Sequence, residues 1–276
     1  MRRIETLGDL LSPLGNTINS ANVVMQLSLA GVGHGVVDST VDTGRADLHP
    51  VKRARTTTTY LAVALYGTQA DRDYVHESVR AIHARVVSAP NAPVAYSANS
   101  PKLQLWVAVC LFKYFVDQYE FLYGPLTDDE FERALRAGVT LGSTLNVRPE
   151  QWPSTRLQYD EQWKVGLDAI SMTDEVRGYL RDLCDLGFLQ VRLGLLGRVV
   201  HTVLGRRFEL VTRGALPPEF RTLMHYSWTD RDQRAFDAYL RRMRILHRWT
   251  RPLWPLPWKA HLLDMRIRRR LGRPVF

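Results

Sequence analysis

The stretch PVKRARTTTTYLAVALYGTQADRDYVHESVRAIHARVV, residues 50–87, decides the fold class. Pro50 suits the first turn of a helix, where its missing N–H leaves no bond unmade. The apolar run Leu61–Leu65 carries that helix to Tyr66, and Gly67 stops it. Thr68 and Asp71 stand at the spacing of a capping box and open a second helix, about Ala70–Val87. In it Val75, Val79, Ile82 and Val86 recur with a period of about 3.6, one face of a helix and not of a strand.

The same signals repeat outward from this pair. Pro101 opens a long helix that ends at Gly124-Pro125, and Thr127 with Glu130 boxes the start of another, to about Gly142. Ser154 caps a helix through Asp168, and Thr173 caps one through Leu186. A glycine-rich apolar helix spans Leu193–Leu204. Thr229 caps a helix of about 20 residues, and Lys259–Leu271 forms the last. No segment alternates like a strand between hairpin turns. The proline clusters Leu216-Pro217-Pro218 and Pro252–Pro257 punctuate loops without a linker. The expectation is one all-α domain over residues 1–276, with roughly ten helices.

Charge is unevenly placed. The chain holds 37 Lys+Arg and 28 Asp+Glu, a net of +9. Residues 241–276 alone hold 11 of the bases and one acid, Asp264, which leaves 26 bases and 27 acids in residues 1–240. Nucleic-acid binding wants cations spread along a face, so no nucleic-acid partner is expected. The basic segment, with Trp249, Trp254 and Trp258, instead suits a membrane surface or an acidic redox partner. The apolar run Leu103–Phe112 is far short of the ~20 residues of a membrane span. The start Met1-Arg2-Arg3-Ile4-Glu5 lacks the apolar core of a signal peptide. Cys110 and Cys184 sit in apolar helical patterns and read as buried free thiols. A cytoplasmic chain, peripheral to the membrane if it meets one, is the expectation.

Several chemistries lose their first requirement. Gly31-x-Gly33-x-Gly35 lacks the lysine of a phosphate loop, and no G-x-S-x-G elbow occurs. His76-Glu77 begins a zinc-protease motif, but Arg80 stands where its second histidine belongs. There is no Glu-x-x-His pair for a di-iron bundle and no zinc spacing of cysteines.

Of the eight histidines, His83 has the most telling context. It follows Ile82 and lies four residues after Val79, at the edge of the apolar stripe, so it points into the domain. A buried imidazole with one free nitrogen is what an iron centre needs. His76, among Arg72, Asp73, Glu77 and Arg80, reads as mostly solvated. On the preceding helix His49, Arg53 and Thr57 recur every four residues and line one side. A salt bridge with a threonine back-bond is one reading of that row. A polar lining over a cofactor is the other.

Four segments together resemble a known family. They are HPVKRARTTTTYLAVALYGT (49–68), VRAIHARVV (79–87), YSANSPKLQLWVAVCL (96–111) and the 212–236 region with GALPPEF and WTDRDQRAF. In this order they are similar to the oxygenases that include latex-clearing protein and the farnesyl-cleaving oxygenase of mycophenolic acid biosynthesis, over about residues 20–271. The resemblance implies a globin-like all-α core that binds haem b, and O2 used on an apolar, olefinic or isoprenoid-like substrate. It assigns His83 as the axial iron ligand. It assigns Arg53 and Thr57 to the catalytic pair beside the haem, facing a propionate or O2; His49, by its place in the same helical row, is expected to bind the cofactor with them. Ser100 and Ala108 depart from the family's common Asp and His. Those departures keep a second reading open, a non-catalytic haem- or lipid-binding protein on the same scaffold. A peripheral membrane-surface protein is the third.

Overall fold

The computed structural model describes residues 4–41 and 44–275, so Met1–Arg3 of the amino-terminal reading fall outside it. It is all-α. In chain order the helices are α1 (Gly15–Leu27), α2 (Ala30–Val37), α3 (Pro50–Tyr66), α4 (Gln69–His83) and α5 (Pro101–Tyr123). Then come α6 (Asp128–Ala137), α7 (Val139–Ser143), α8 (Arg156–Ala169), α9 (Asp174–Cys184) and α10 (Phe188–Leu193). The last five are α11 (Leu195–Val200), α12 (Arg206–Ala215), α13 (Pro218–Leu223), α14 (Asp230–Thr250) and α15 (Pro255–Arg270). Among the described residues the extended pairing amounts to one isolated bridge, Val87 with Ser97.

The core is built around α5. Ala108, Val109, Phe112, Phe115 and Leu122 of this helix are fully buried, and its apolar side chains extend around the axis. A helix apolar all round belongs in the interior. α1 crosses it closely. The Tyr114 hydroxyl donates to the Gly15 carbonyl at 2.9 Å, and the Trp106 indole N–H donates to the Met25 carbonyl at 3.1 Å. A Cβ on Gly15 would lie 2.7 Å from the Tyr114 hydroxyl, so a larger residue there would displace that side chain. This explains the uncharged run Leu10–Val37: α1 and its neighbours are core, not surface. Both cysteines are free and buried, and burial raises both thiols, Cys184 to about 12.

The capping boxes at Thr68, Thr127 and Thr229 form as the sequence spacing requires. Other boundaries differ. α4 stops at His83, not Val87, because the following chain turns back: the Ser88 N–H donates to the Tyr96 carbonyl and the Ala98 N–H to the Val86 carbonyl, each at 2.9 Å. The cap of α8 is Thr155, whose hydroxyl accepts from the Gln158 N–H, while Ser154 bonds the Gln158 side chain. The apolar stretch 193–204 is not one helix. Gly194, at φ 55°, turns α10 into α11, and a π-helical turn follows at His201–Gly205. α15 begins at Pro255, ahead of Lys259.

The basic C-terminal segment is partly committed to the fold. The Arg266 guanidinium pairs with Asp71 at 2.6 Å, and Arg269 lies 4.6 Å over the Tyr74 ring. Burial would push the Asp71 carboxyl up, but Arg266 and Thr68 outweigh it and hold the group at about 2. Trp254 and Trp258 pack on the core, whereas Trp249 is 82% exposed. No helix among the described residues is long and apolar enough to cross a membrane.

Candidate functional site

α2, α3, α4 and α5 line most of an open cavity of about 210 Å³. Arg53 and Thr57 line it from α3, His83 from the end of α4, and Gln104 and Val107 from α5. Apolar walls come from Val32 and Val36 of α2, Val79 and Ile82 of α4, and Leu103 of α5. Three of the four residues singled out in the sequence therefore meet on one space. The fourth does not. His49 is exposed at the N-cap of α3 and is not part of the lining, because the backbone there has left the helix (φ −135°, ψ 61°).

His83 is held by its surroundings. Gln104, itself buried, has its Nε2 3.2 Å from His83 Nδ1 and donates to the Ala98 carbonyl at 2.6 Å. Its Oε1 accepts from the Asn146 N–H, which fixes the amide's orientation. Burial, and then the nearby Arg53 guanidinium, push the imidazole down to about 4 against the opposing pull of the Ala98 carbonyl. Burial and Arg53 thus both favour the neutral ring. Burial also lowers the Arg53 guanidinium from its ordinary value, with Tyr179 opposing. A threonine back-bond does form on α3, but from Thr56, whose hydroxyl donates to the Arg53 carbonyl at 3.0 Å.

Gln104 is the site residue that sequence reasoning missed. Its signal was a lone amide in the apolar run 103–112, which must find partners once buried. His76 is also placed differently from its solvated reading. It is half-buried, and its Nδ1 lies 2.8 Å from the Leu145 carbonyl. The two departures from the family pattern have separate fates. Ala108 is fully buried in the core and is not in the cavity lining, since Leu103, Gln104, Val107 and Leu111 present that face of α5. Ser100 stands at the N-cap of α5 without a side-chain cap bond, and Pro101 opens the helix.

Elsewhere His34, Asp38 and Glu175 bring ligand atoms within 4.8 Å of one another. His34 Nδ1 already lies 3.3 Å from Asp38, and Nε2 lies 3.4 Å from the Thr173 hydroxyl. Both carboxylates are exposed, so ordinary ion pairing accounts for the group.

Comparison with known proteins identifies the family. Residues 10–249 match the family described as "ER-bound oxygenase mpaB/B'/Rubber oxygenase, catalytic domain". The match holds all four segments quoted above and ends before α15. Two mycobacterial proteins, Mb2261 of Mycobacterium bovis and Rv2237 of Mycobacterium tuberculosis, both described as uncharacterized, are each 43% identical over 257 residues. The alignment covers 93% of this chain and 98% of each of theirs. No solved structure matches. With its all-α core, its matched residues and these relatives, the chain belongs to the mpaB and rubber oxygenase catalytic-domain family.

Proposed function

We propose that the protein is a haem b-dependent oxygenase that uses O2 on an apolar, olefinic or isoprenoid-like molecule. The observation that carries this is the convergence of a neutral imidazole, a guanidinium and a hydroxyl on one otherwise apolar cavity. That donor set fits haem b: His83 would hold the iron, and Arg53 would offset the negative charge of the propionates. When bound, the haem supplies the oxygen and electron-transfer chemistry that side chains lack.

The chain's own residues then have limited, definable tasks. The Ala98 carbonyl accepts from the His83 ring, as the second N–H of a metal-binding histidine requires, and the Gln104 amide packs beside the ring. Thr57 contributes a hydroxyl beside Arg53. The valine, leucine and isoleucine walls exclude water and bind an apolar substrate, at about 25 cal/mol per Å² buried. At about 210 Å³ the cavity is smaller than the ~300–1,000 Å³ of a typical ligand pocket, so loading a macrocycle requires its walls to part.

The test is aerobic incubation of the haem-loaded protein with a polyisoprenoid olefin, following O2 uptake and carbonyl products. Turnover that falls on the order of a hundredfold in Arg53→Ala and Thr57→Ala supports the proposal. Haem binding without turnover of any olefin favours a non-catalytic haem-binding protein instead.

A further inference from the structure

Residues 188–207 form a feature that oxygen chemistry does not use. α10 and α11 make a tight hairpin on Gly194. A Cβ on Gly197 would fall 1.9 Å from the Leu189 carbonyl oxygen, so the two helices approach with no room for a side chain. The apolar residues therefore cannot be buried between them and face outward. Val191 is 88% exposed, Leu195 77%, Leu196 62% and Val203 60%, with Val199 also exposed. Leu195, Val199 and Val203 recur every four residues along one side. Between Leu186 and Phe208 the chain carries Arg192, Arg198, Arg206 and Arg207 and no acid.

We propose that this hairpin docks the protein on an anionic lipid surface. Its apolar tip enters the headgroup–acyl boundary and Arg198, Arg206 and Arg207 meet the lipid phosphates. The pairing of exposed leucine and valine with flanking arginine is the composition of an interfacial helix. The charge decides against a second copy of the chain, because two such hairpins would bring like charges together. The attachment to the body is polar. Arg192 Nε donates to the Asp47 carbonyl at 2.8 Å, and His201 Nδ1 lies 2.9 Å from the Asp185 carbonyl. Asp47 follows Gly44 of the cavity wall by three residues, so the docking hairpin and the cavity share one connecting turn.

The experiment is flotation of the full chain with phosphatidylcholine vesicles, with and without phosphatidylglycerol. The wild type is expected to float with the anionic vesicles and to be released by salt. The Leu195→Ser/Leu196→Ser/Val199→Ser variant should lose binding on the order of tenfold or more. Arg198→Gln/Arg206→Gln/Arg207→Gln should lose the dependence on phosphatidylglycerol. Trp249→Ser, on the exposed end of α14, should bind as wild type. These side chains are exposed, so circular dichroism and the thermal midpoint should not change. The proposal is overturned if wild type floats with neither vesicle or if the serine variant floats equally well. It is also overturned if light scattering shows a dimer that the serine variant dissociates while vesicle binding persists.

Discussion

Gln104 joins stability to the site through a single amide. It satisfies the Asn146 N–H and the Ala98 carbonyl and lies against His83. Gln104→Leu keeps the volume but strands both backbone groups, so urea unfolding should register a loss of about 1–3 kcal/mol. Gln104→Glu keeps the acceptor for Asn146 and puts an anion beside the ring. Its His83 should then titrate above the value of about 4 in the wild type, which an NMR pH titration would read. An unchanged titration would mean that the amide does not control the ring. Sequence reasoning reached Arg53, Thr57 and His83 because helical spacing and the family's motifs both mark them. It did not reach Gln104, whose role depends on how the loops carrying Ala98 and Asn146 fold back onto α5, or see that the backbone turns His49 away before the helix begins.

At the scale of elements, α5 carries an ion pair into the core. Lys113 Nζ lies 2.8 Å from Asp117 Oδ1, one turn on, and the Asp117 side chain is nearly inaccessible. Removing one partner strands the other charge in apolar surroundings. Asp117→Ala should therefore cost about 3–5 kcal/mol in urea unfolding, and replacing both residues by apolar ones should recover much of that. An Asp117→Ala variant as stable as wild type would refute the buried pairing. Helices with charged or hydroxyl caps were legible in advance, as Thr68, Thr127 and Thr229 show. α1 and α2 were not, since neither has a side-chain cap bond and what holds them is contact with α5 and other helices. The break at Gly194 was hidden because its neighbours keep helical apolar spacing while only the positive φ interrupts the helix.

For the whole molecule, two histidines set the acid limit. His247 is buried, with Nδ1 2.8 Å from the Tyr123 hydroxyl and the Leu11 backbone also bonding the ring. Burial, and then Arg251, push it down to about 4, the same value as His83. The unfolded chain takes up these two protons below about pH 6.5, and the folded chain only below about 4. Their contribution is thus complete above about 6.5 and is lost as pH falls toward 4, where the curve flattens. Unfolding free energy should drop by a few kcal/mol across that window, and His247→Phe should shrink the drop. Stability that is flat from pH 7 to 4 would contradict both burials. Part of the basic C-terminal segment is structural, since Arg266 and Arg269 bind α15 to α4. The central claim concerns His83, and the visible absorption spectrum of the haem-reconstituted protein tests it most directly. A Soret band in the wild type that is lost or shifted in His83→Ala is the predicted result. No haem uptake by the wild type, or a band identical in the variant, would contradict it.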